Sequence, residues 1–351
     1  MVLFVSTQVC SSRGLTLVLA ITFAVGLCDL ASAQTVADFY RGKTISVQIG
    51  YAPGGAYDLS ARVLARHMGR HVPGEPIVVA RNMPGAGSLK LANYLYTVAP
   101  RDGTEFGIFG RTIPIDPLLG AKEAQFDALK FTWLGSTSNE VSTCVSWHMS
   151  SVKTAIDLYD KELVVGAAGA ASPSAVFPNV FNAVLGTKFK VINGYPSSAN
   201  SLLAMEAGEV TGFCAWGWVA MRATRPEWIR DKKFNVLFQI GLRKHPDHPE
   251  PPLVLDLAKT LEDRQVLEMV VAPQTFARPF AAPPGIPAER TAALRNAFDA
   301  TVKDPAFIVE ATKLQLEPDL VTAGQVEEIL RGIYATPATV VARARAALQM
   351  P

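Results

Sequence analysis

Three glycine-rich turns follow strand-like segments, and their residue types suit the binding of an anion through backbone N–H groups. They are residues 52–58 (APGGAYD), 83–88 (MPGAGS) and 167–174 (AAGAASPS). Glycine adopts backbone angles that other residues avoid, and it leaves room for a ligand close to the chain. Each turn leads into a helix-like segment, and helix N-termini favour anions. A single turn of this kind is usually only a tight turn, but three together predict an anion site.

Several side chains near these turns add to the predicted site. Ser172 and Ser174 lie at the start of a helix that has Pro173 in its first turn. Asp58 is expected to cap its helix, to hold the turn, or to accept a hydrogen bond from a ligand hydroxyl. Arg111 follows a strand-like segment and suits a second carboxylate of the ligand, although an arginine in such a place is more often a surface residue.

Two tryptophans, Trp216 and Trp218, end another strand-like segment in the stretch CAWGW. An indole ring can pack against the apolar face of a ligand or donate its N–H to a carboxylate. Packing in the protein core is an equally good interpretation of the pair.

The common catalytic and nucleotide-binding motifs do not occur in the sequence. There is no G-x-x-x-x-G-K-[ST], no complete G-x-G-x-x-G after a strand, no G-x-S-x-G, no H-E-x-x-H and no paired C-x-x-C. His67 and His71 are four residues apart on a predicted helix and could share a metal, but such a pair is more often a solvated helix face. We therefore predict no cofactor, no metal and no enzymatic activity.

The N-terminus has the layout of a secretory signal peptide. Residues 15–27 form an apolar run that follows Arg13 and precedes Ala31-Ser32-Ala33. We place the cleavage between Ala33 and Gln34, which predicts a periplasmic protein. Cys28 suggests a lipid-modified cysteine instead, but Leu27 before it is larger than that processing prefers.

Removal of residues 1–33 leaves two cysteines, Cys144 and Cys214, both in strand-like segments. Two cysteines in an oxidising compartment favour a disulfide, and buried free thiols are the alternative.

Composition limits the partners and the architecture. The chain has 351 residues and a net charge of +2, from 33 Lys and Arg against 31 Asp and Glu. This balance gives no electrostatic reason to expect a nucleic acid or an anionic membrane. After the signal, no segment is apolar enough to span a membrane, and the length exceeds what one core usually supports.

Strands and helices alternate in two sets along the chain. This order predicts an α/β protein with parallel, helix-covered sheets and ligands beyond the carboxyl ends of the strands. The predicted strands are residues 44–51, 76–82, 105–110, 142–147, 163–169, 189–195, 210–216, 235–241 and 269–280. The main predicted helices are residues 89–98, 174–185, 198–206, 288–303, 305–314 and 324–348, the last broken at Pro337.

At these turns the sequence resembles the substrate-binding proteins of tripartite tricarboxylate transporters, the Bug or TctC family. The resemblance covers nearly the whole mature chain. It is carried by YAPGGAYD, by RNMPGAGS, by APRDGTEFGIF and by GYPSSAN, in that order.

The resemblance implies a two-lobed periplasmic binding protein of type II, a Venus flytrap with two crossovers between its lobes. Lobe 1 is expected to contain residues 34–138 and 272–351, and lobe 2 residues 139–271. Family members hold carboxylates largely through backbone N–H groups and ordered waters. With the side chains above, the predicted ligand-binding residues are Ala52, Pro53, Gly54, Gly55, Ala56, Tyr57, Asp58, Gly85, Ala86, Gly87, Ser88, Arg111, Thr112, Ala168, Gly169, Ala170, Ala171, Ser172, Tyr195, Ser197, Ser198, Trp216 and Trp218.

The implied function is capture of a small carboxylate by a monomer and its delivery to a large and a small integral-membrane carrier subunit. The stretch CAWGW and the cysteine pair depart from the usual family pattern. These departures favour an apolar or aromatic acid alongside di- and tricarboxylates. The alternative is a periplasmic sensor that acts on a regulatory partner, and an exported enzyme on the same scaffold lacks any supporting motif.

Overall fold

The computed structural model describes residues 34–167, 169, 172–195 and 197–348, so the predicted signal and its cleavage site lie outside the described residues. The described chain forms two mixed β-sheets that are covered by helices. In chain order the elements are α1 (Val36–Tyr40), β1 (Thr44–Ile49), α2 (Ala56–Met68), β2 (Ile77–Asn82), α3 (Leu89–Thr97), β3 (Glu105–Ile108), β4 (Thr132–Ser136), β5 (Ser142–Trp147), β6 (Leu163–Ala167), α4 (Pro173–Leu185), β7 (Phe189–Asn193), α5 (Ser198–Glu206), β8 (Gly212–Gly217), α6 (Trp218–Thr224), α7 (Pro226–Arg230), β9 (Phe234–Ile240), α8 (Leu261–Val271), β10 (Pro279–Ala282), α9 (Ala288–Lys303), α10 (Pro305–Lys313), β11 (Val321–Thr322), α11 (Ala323–Tyr334) and α12 (Ala338–Leu348).

Apart from the edge strand β11 of the first sheet, the two sheets share one arrangement of strands. The first has the order β2-β1-β3-β10-β4-β11, and the second has the order β7-β6-β8-β5-β9. In each, three neighbouring strands pair in parallel, and the next strand is antiparallel to both of its neighbours: β10 between β3 and β4, and β5 between β8 and β9. The strands therefore pass from the first sheet to the second between β4 and β5 and return between β9 and β10. The predicted α/β class with two strand crossovers is confirmed.

Burial explains why these segments form strands and helices. Ile45, Val47 and Ile49 alternate along β1 and are fully buried, whereas all of β3 and β4 is buried because helices cover both faces. A large buried cluster also joins residues of both sheets through α8, α11 and α12. Helix α12 packs against α4 and α8, which lie beside the second sheet. The lobe limits at residues 138 and 272 stay a prediction.

One difference from the predicted elements has a clear cause. The strand predicted at residues 269–280 is wrong, because α8 continues to Val271 and only β10 is extended. Thr260 and Asp263 form a capping box that starts α8, and the apolar run after it is the buried face of that helix. The sequence reading also missed β4, α6 and α7. The break at Pro337 is confirmed, since it separates α11 from α12.

None of the helices in the described part of the chain combines the length and the apolarity that a membrane span requires.

Candidate functional site: the cleft between the sheets

The predicted turns lie at the carboxyl ends of parallel strands, where open α/β sheets place their ligands. Residues 52–58 join β1 to α2, and residues 83–88 join β2 to α3; we call these the first-sheet turns. Residues 167–174 join β6 to α4, and residues 194–198 join β7 to α5; we call these the second-sheet turns.

The turn after β1 is held by a buried carboxylate. Asp58 accepts hydrogen bonds from the Gly54 N–H at 2.9 Å, from Arg62 Nε at 3.0 Å and from Asn82 Nδ2 at 2.8 Å. Burial alone would raise the pKa of Asp58, but the hydrogen bonds from Arg62, Gly54 and Asn82 outweigh it and lower that pKa. Gly55, not Asp58, is the N-cap residue of α2. Of the roles predicted for Asp58, the structure therefore gives it the one of holding the turn.

The turn after β2 packs against the ends of β1 and β3. Four successive residues, 85–88, have positive φ angles. Ser88 is fully buried, and its Oγ accepts from the Gly110 N–H at 2.7 Å. A Cβ atom on Gly50 would lie 2.3 Å from the Ser88 Cβ, so only glycine allows this contact. Internal contacts therefore determine the shape of both first-sheet turns, while Gly54, Gly55, Gly85 and Gly87 remain exposed.

Where the chain crosses between the sheets, an ion-pair cluster lies against the first-sheet turns. Glu140 accepts from Arg111 Nη1 at 2.5 Å and pairs with Arg278 Nη2 at 2.8 Å. Burial would raise the pKa of Glu140, but the two guanidinium groups lower it to about 2. Arg278 also lies over the Tyr57 ring, 4.6 Å from its centre, and Tyr57 stacks on Tyr51. Arg111, predicted to meet a ligand carboxylate, is thus paired within the protein, and its role toward a ligand stays a prediction.

The second-sheet turns place serines at helix N-termini. Ser172 is the N-cap of α4; its Oγ donates to the Gly169 carbonyl at 2.6 Å and lies 3.0 Å from the Ser174 Oγ. Ser197 is the N-cap of α5 and accepts from the Asn200 N–H. The predicted Ala168, Ala170 and Ala171 lie outside the described residues.

The disulfide predicted from the cysteine count is present. Cys144 and Cys214 face each other on the antiparallel pair β5 and β8 and are bonded. Next to them the register shifts: Thr143 pairs with Trp216, so Ala215 bulges out with a φ of 66°. The covalent link therefore lies beside an irregular strand segment that borders the cleft.

The two tryptophans are both buried, and they differ in surroundings. Trp216 packs edge-on against Trp228, with ring centres 6.0 Å apart, and it also borders the cleft. Trp218 stacks on His248 with ring centres 3.9 Å apart, and its Nε1 has no hydrogen-bond acceptor among the described residues. Both belong to one core cluster, so the core interpretation holds for each, and contact with a ligand remains a prediction for Trp216.

A cavity of about 500 Å³ opens between the sheets. Of the predicted residues, Arg111, Ser172, Ser198 and Trp216 line it. The full lining is Arg111, Glu140, Val141, Ser172, Pro173, Ser174, Ser198, Ala199, Leu202, Phe213, Ala215, Trp216, Gly217, Ala220, Thr224, Arg225, His245, Arg278 and Glu317. A smaller cavity of about 180 Å³ beside it is bordered by Ala56, Ser60, Glu140, Arg278 and Glu317, among others. None of the predicted residues of the first-sheet turns lines the larger cavity, and neither do Thr112, Gly169, Tyr195, Ser197 and Trp218.

Sequence reasoning missed the carboxyl group of Glu317, which borders both cavities. Burial, helped by the negative charge of Glu140, raises the pKa of Glu317 to about 7, against the opposing charges of Arg278 and Arg222. His245 also faces the larger cavity, and burial lowers its pKa. Acidic, basic and apolar groups therefore share one cavity.

Both histidines of the pair make hydrogen-bond contacts with carboxylates. His67 Nε2 lies 2.6 Å from Glu310, and His71 Nε2 lies 2.9 Å from Asp304. These contacts attach the end of α2 to the middle of α10, and the turn after α2 to the start of α10. In the described ranges no group of three or more His, Cys, Asp or Glu side chains could hold a metal ion.

Known proteins resemble this chain over most of its length. No family profile matches it. The curated UPF0065 protein in gbd 5'region of Cupriavidus necator is 24% identical over 309 residues, covering 85% of this chain and 86% of that protein.

Among solved structures, a TctC solute-binding protein from Polaromonas without ligand is 14% identical, covers 86% of this chain and 99% of its own, and superposes with a TM-score of 0.68. R. palustris Rpa4515 with adipate is 18% identical, covers 87% and 97%, and has a TM-score of 0.58. These matches confirm the family resemblance stated from the sequence. The chain has the two-lobed fold of the TctC-type periplasmic solute-binding proteins.

Proposed function

We propose that this protein is an exported solute receptor that closes its two lobes on a small organic acid. The observation that carries the proposal is the cavity between the sheets, which is bordered by the N-termini of α4 and α5 and by three arginines. Helix N-termini and guanidinium groups both favour anions. Leu202, Phe213 and Trp216 supply an apolar wall for the carbon skeleton.

The solved relative with adipate supports an acid as the ligand, since it has the same fold. In this proposal the first-sheet turns approach the ligand when the lobes close and offer it their exposed backbone N–H groups. The protein acts in the periplasm as a receptor and not as an enzyme. It delivers the acid to integral-membrane carrier subunits, which is the role that the family resemblance implies.

The test is thermal unfolding of the mature chain, starting at Gln34, with mono-, di- and tricarboxylates, aromatic acids and amino acids. A ligand at 100 times its Kd should stabilise the folded protein by roughly 2.7 kcal/mol, which shifts Tm by several degrees. Mass spectrometry of the supernatant after denaturation would reveal an acid that is retained through purification. A folded protein that responds to no acid and releases none would refute the proposal.

A glycine substitution separates binding from folding. A Cβ atom on Gly55 would meet nothing within 4 Å, and its φ is −84°, so Gly55→Val should fold normally. We expect it to weaken acid binding at least tenfold, because the side chain blocks the approach of the ligand to the turn. Gly332→Val, at an open position on α11 away from the cavity, is the matched control. Equal affinities in both variants would remove the first-sheet turn from the site.

A further inference from the structure

Arg225 lies where α6 ends and α7 begins, and it borders the larger cavity. Its Nη1 donates to the Thr224 carbonyl at 2.9 Å, and its guanidinium carbon lies 5.2 Å from the centre of the Trp228 ring. These two contacts orient a half-buried guanidinium group, and most of its five N–H donors have no acceptor among the described residues.

The other arginines of this region are already paired. Arg111 and Arg278 share Glu140, and Arg222 pairs with Asp247 at 2.8 Å. In the part of the chain that the structure describes, Arg225 has no carboxylate within 4.0 Å. Among the three arginines that border the larger cavity, Arg225 is therefore the one without a carboxylate partner in the described part of the chain.

The surroundings of Arg225 suit an acid with a second charged group. Ala215, Trp216 and Gly217 border the same cavity on the strand that precedes α6, and they carry no charge. The serines at the N-termini of α4 and α5 and the guanidinium of Arg225 border the same cavity as this uncharged surface, on which the carbon skeleton of a ligand could lie. A charge-assisted, bidentate hydrogen bond is the strongest contact that such a guanidinium offers.

We infer that Arg225 binds a second anionic group of the solute, so that the protein prefers an acid with two anionic groups over a monocarboxylate of the same skeleton. This inference rests on the proposed function and names the residue that selects within its ligand class.

The test compares diacids and monoacids of equal carbon number, such as adipate and hexanoate, across chain lengths from three to eight carbons. Calorimetric titration of the wild-type protein identifies the best-bound pair. Arg225→Gln should weaken binding of the diacid 10- to 100-fold and of the monoacid less than threefold. Arg225→Lys, which keeps the charge but not the fork of donors, should fall between the two proteins. Arg222→Gln is the control, because Arg222 is exposed and paired with Asp247.

Each outcome decides the question. An equal loss for diacid and monoacid would overturn the inference, because Arg225 would then support the shape of the cavity and not select a second anionic group. Unchanged affinity for both acids would also overturn it. If the wild-type protein binds no acid at all, the proposed function fails, and this failure is seen before any variant is made.

Discussion

Apart from the edge strand β11 of the first sheet, the two sheets have the same strand order, yet they present different groups to the cleft. In the first sheet, buried polar contacts such as those of Asp58 and Ser88 fix the turns, and the exposed surface is glycine backbone. In the second sheet, side chains line the cavity directly, among them Trp216 and Arg225. Under the proposed function, the first sheet would recognise the carboxylate that all acids share, and the second would distinguish one acid from another.

The strand inserted into each sheet is also secured differently. Phe280 on β10 lies opposite Ile108 on β3, and both are fully buried apolar side chains. At the corresponding place in the second sheet, Cys144 on β5 is bonded to Cys214 on β8. Packing holds the first strand, and a covalent link holds the second.

Of the changes that test this difference between the sheets, removal of the disulfide should cause the largest loss of stability. It closes a loop across a sequence separation of 70 residues, and a loop of that length contributes about 4 kcal/mol by restricting the unfolded chain. We expect the double variant Cys144→Ala, Cys214→Ala to lose about 3 to 4 kcal/mol of unfolding free energy, measured with urea. Reductant should destabilise the wild-type protein by a similar amount and leave the variant unchanged. A loss below about 1 kcal/mol would show that packing alone also holds the second sheet.

The next largest effect is expected from the first-sheet side of the comparison. Asp58→Ala removes an acceptor of three hydrogen bonds and leaves Gly54, Arg62 and Asn82 without it. We expect a loss of about 2 to 3 kcal/mol of unfolding free energy at neutral pH. Asp38→Ala, which removes an exposed partner of Arg41, is the control and should cause a much smaller loss.

The pH dependence sharpens the Asp58 prediction. The pKa of Asp58 is lowered in the folded protein, so its stabilisation is present above the unfolded pKa of about 3.9 and is lost as the pH falls. The difference between wild type and Asp58→Ala should therefore shrink below about pH 4. A constant difference down to pH 3 would contradict the role of the ionised carboxylate.

Two carboxyl groups of the cleft should contribute to the pH dependence of stability in opposite directions. Glu140, between two arginines, has a pKa of about 2, whereas burial and the charge of Glu140 raise the pKa of Glu317 to about 7. A raised carboxyl pKa means that wild-type stability is lost as the pH rises from about 4.5 through 7. Glu317→Gln should remove this loss. The unfolding free energy of the variant, relative to that of the wild-type protein, should therefore rise by about 1 to 2 kcal/mol between pH 5 and pH 8.

Parallel urea titrations at the two pH values measure that gain. The pKa of Asp116 is also raised to about 7 by burial, but Asp116 is present in both proteins and cancels in the difference. Glu289→Gln, at an exposed position on α9, is the control and should follow the wild-type protein at both pH values. A pH-independent effect of Glu317→Gln would mean that Glu317 is already ionised at pH 5.

Local patterns in the sequence predicted those parts of the fold that depend on neighbours along the chain. The β-branched residues of 44–51 predicted β1, and the glycine turns marked the strand ends. The cysteine count predicted the disulfide because only two cysteines follow the signal. By contrast, the strand predicted at residues 269–280 was wrong, because a short apolar segment fits a buried helix as well as a strand.

Contacts between distant residues could not be read in this way. Arg111, Glu140 and Arg278 form one cluster, but no spacing in the sequence relates them. A usable signal was that Glu140 precedes β5 and Arg278 precedes β10, the two strands that begin after a crossover. Glu317 lies in a turn without any motif, and its importance comes only from the cavity that it borders. Most of the predicted ligand-binding residues therefore stay predictions until an acid is bound.

The smallest expected effect comes from two buried indoles, one in the first sheet whose N–H has an acceptor and one beside the second sheet whose N–H has none among the described residues. The Trp133 Nε1 donates to the Ala128 carbonyl at 2.9 Å, whereas the Trp218 Nε1 is buried without an acceptor among the described residues. Replacement by phenylalanine removes the N–H in both, but only Trp133→Phe leaves a carbonyl without its donor. We expect Trp133→Phe to be destabilised by about 1 kcal/mol more than Trp218→Phe in urea unfolding. Equal losses would indicate that a bound water or a ligand accepts from Trp218, which would bring that indole back into the site.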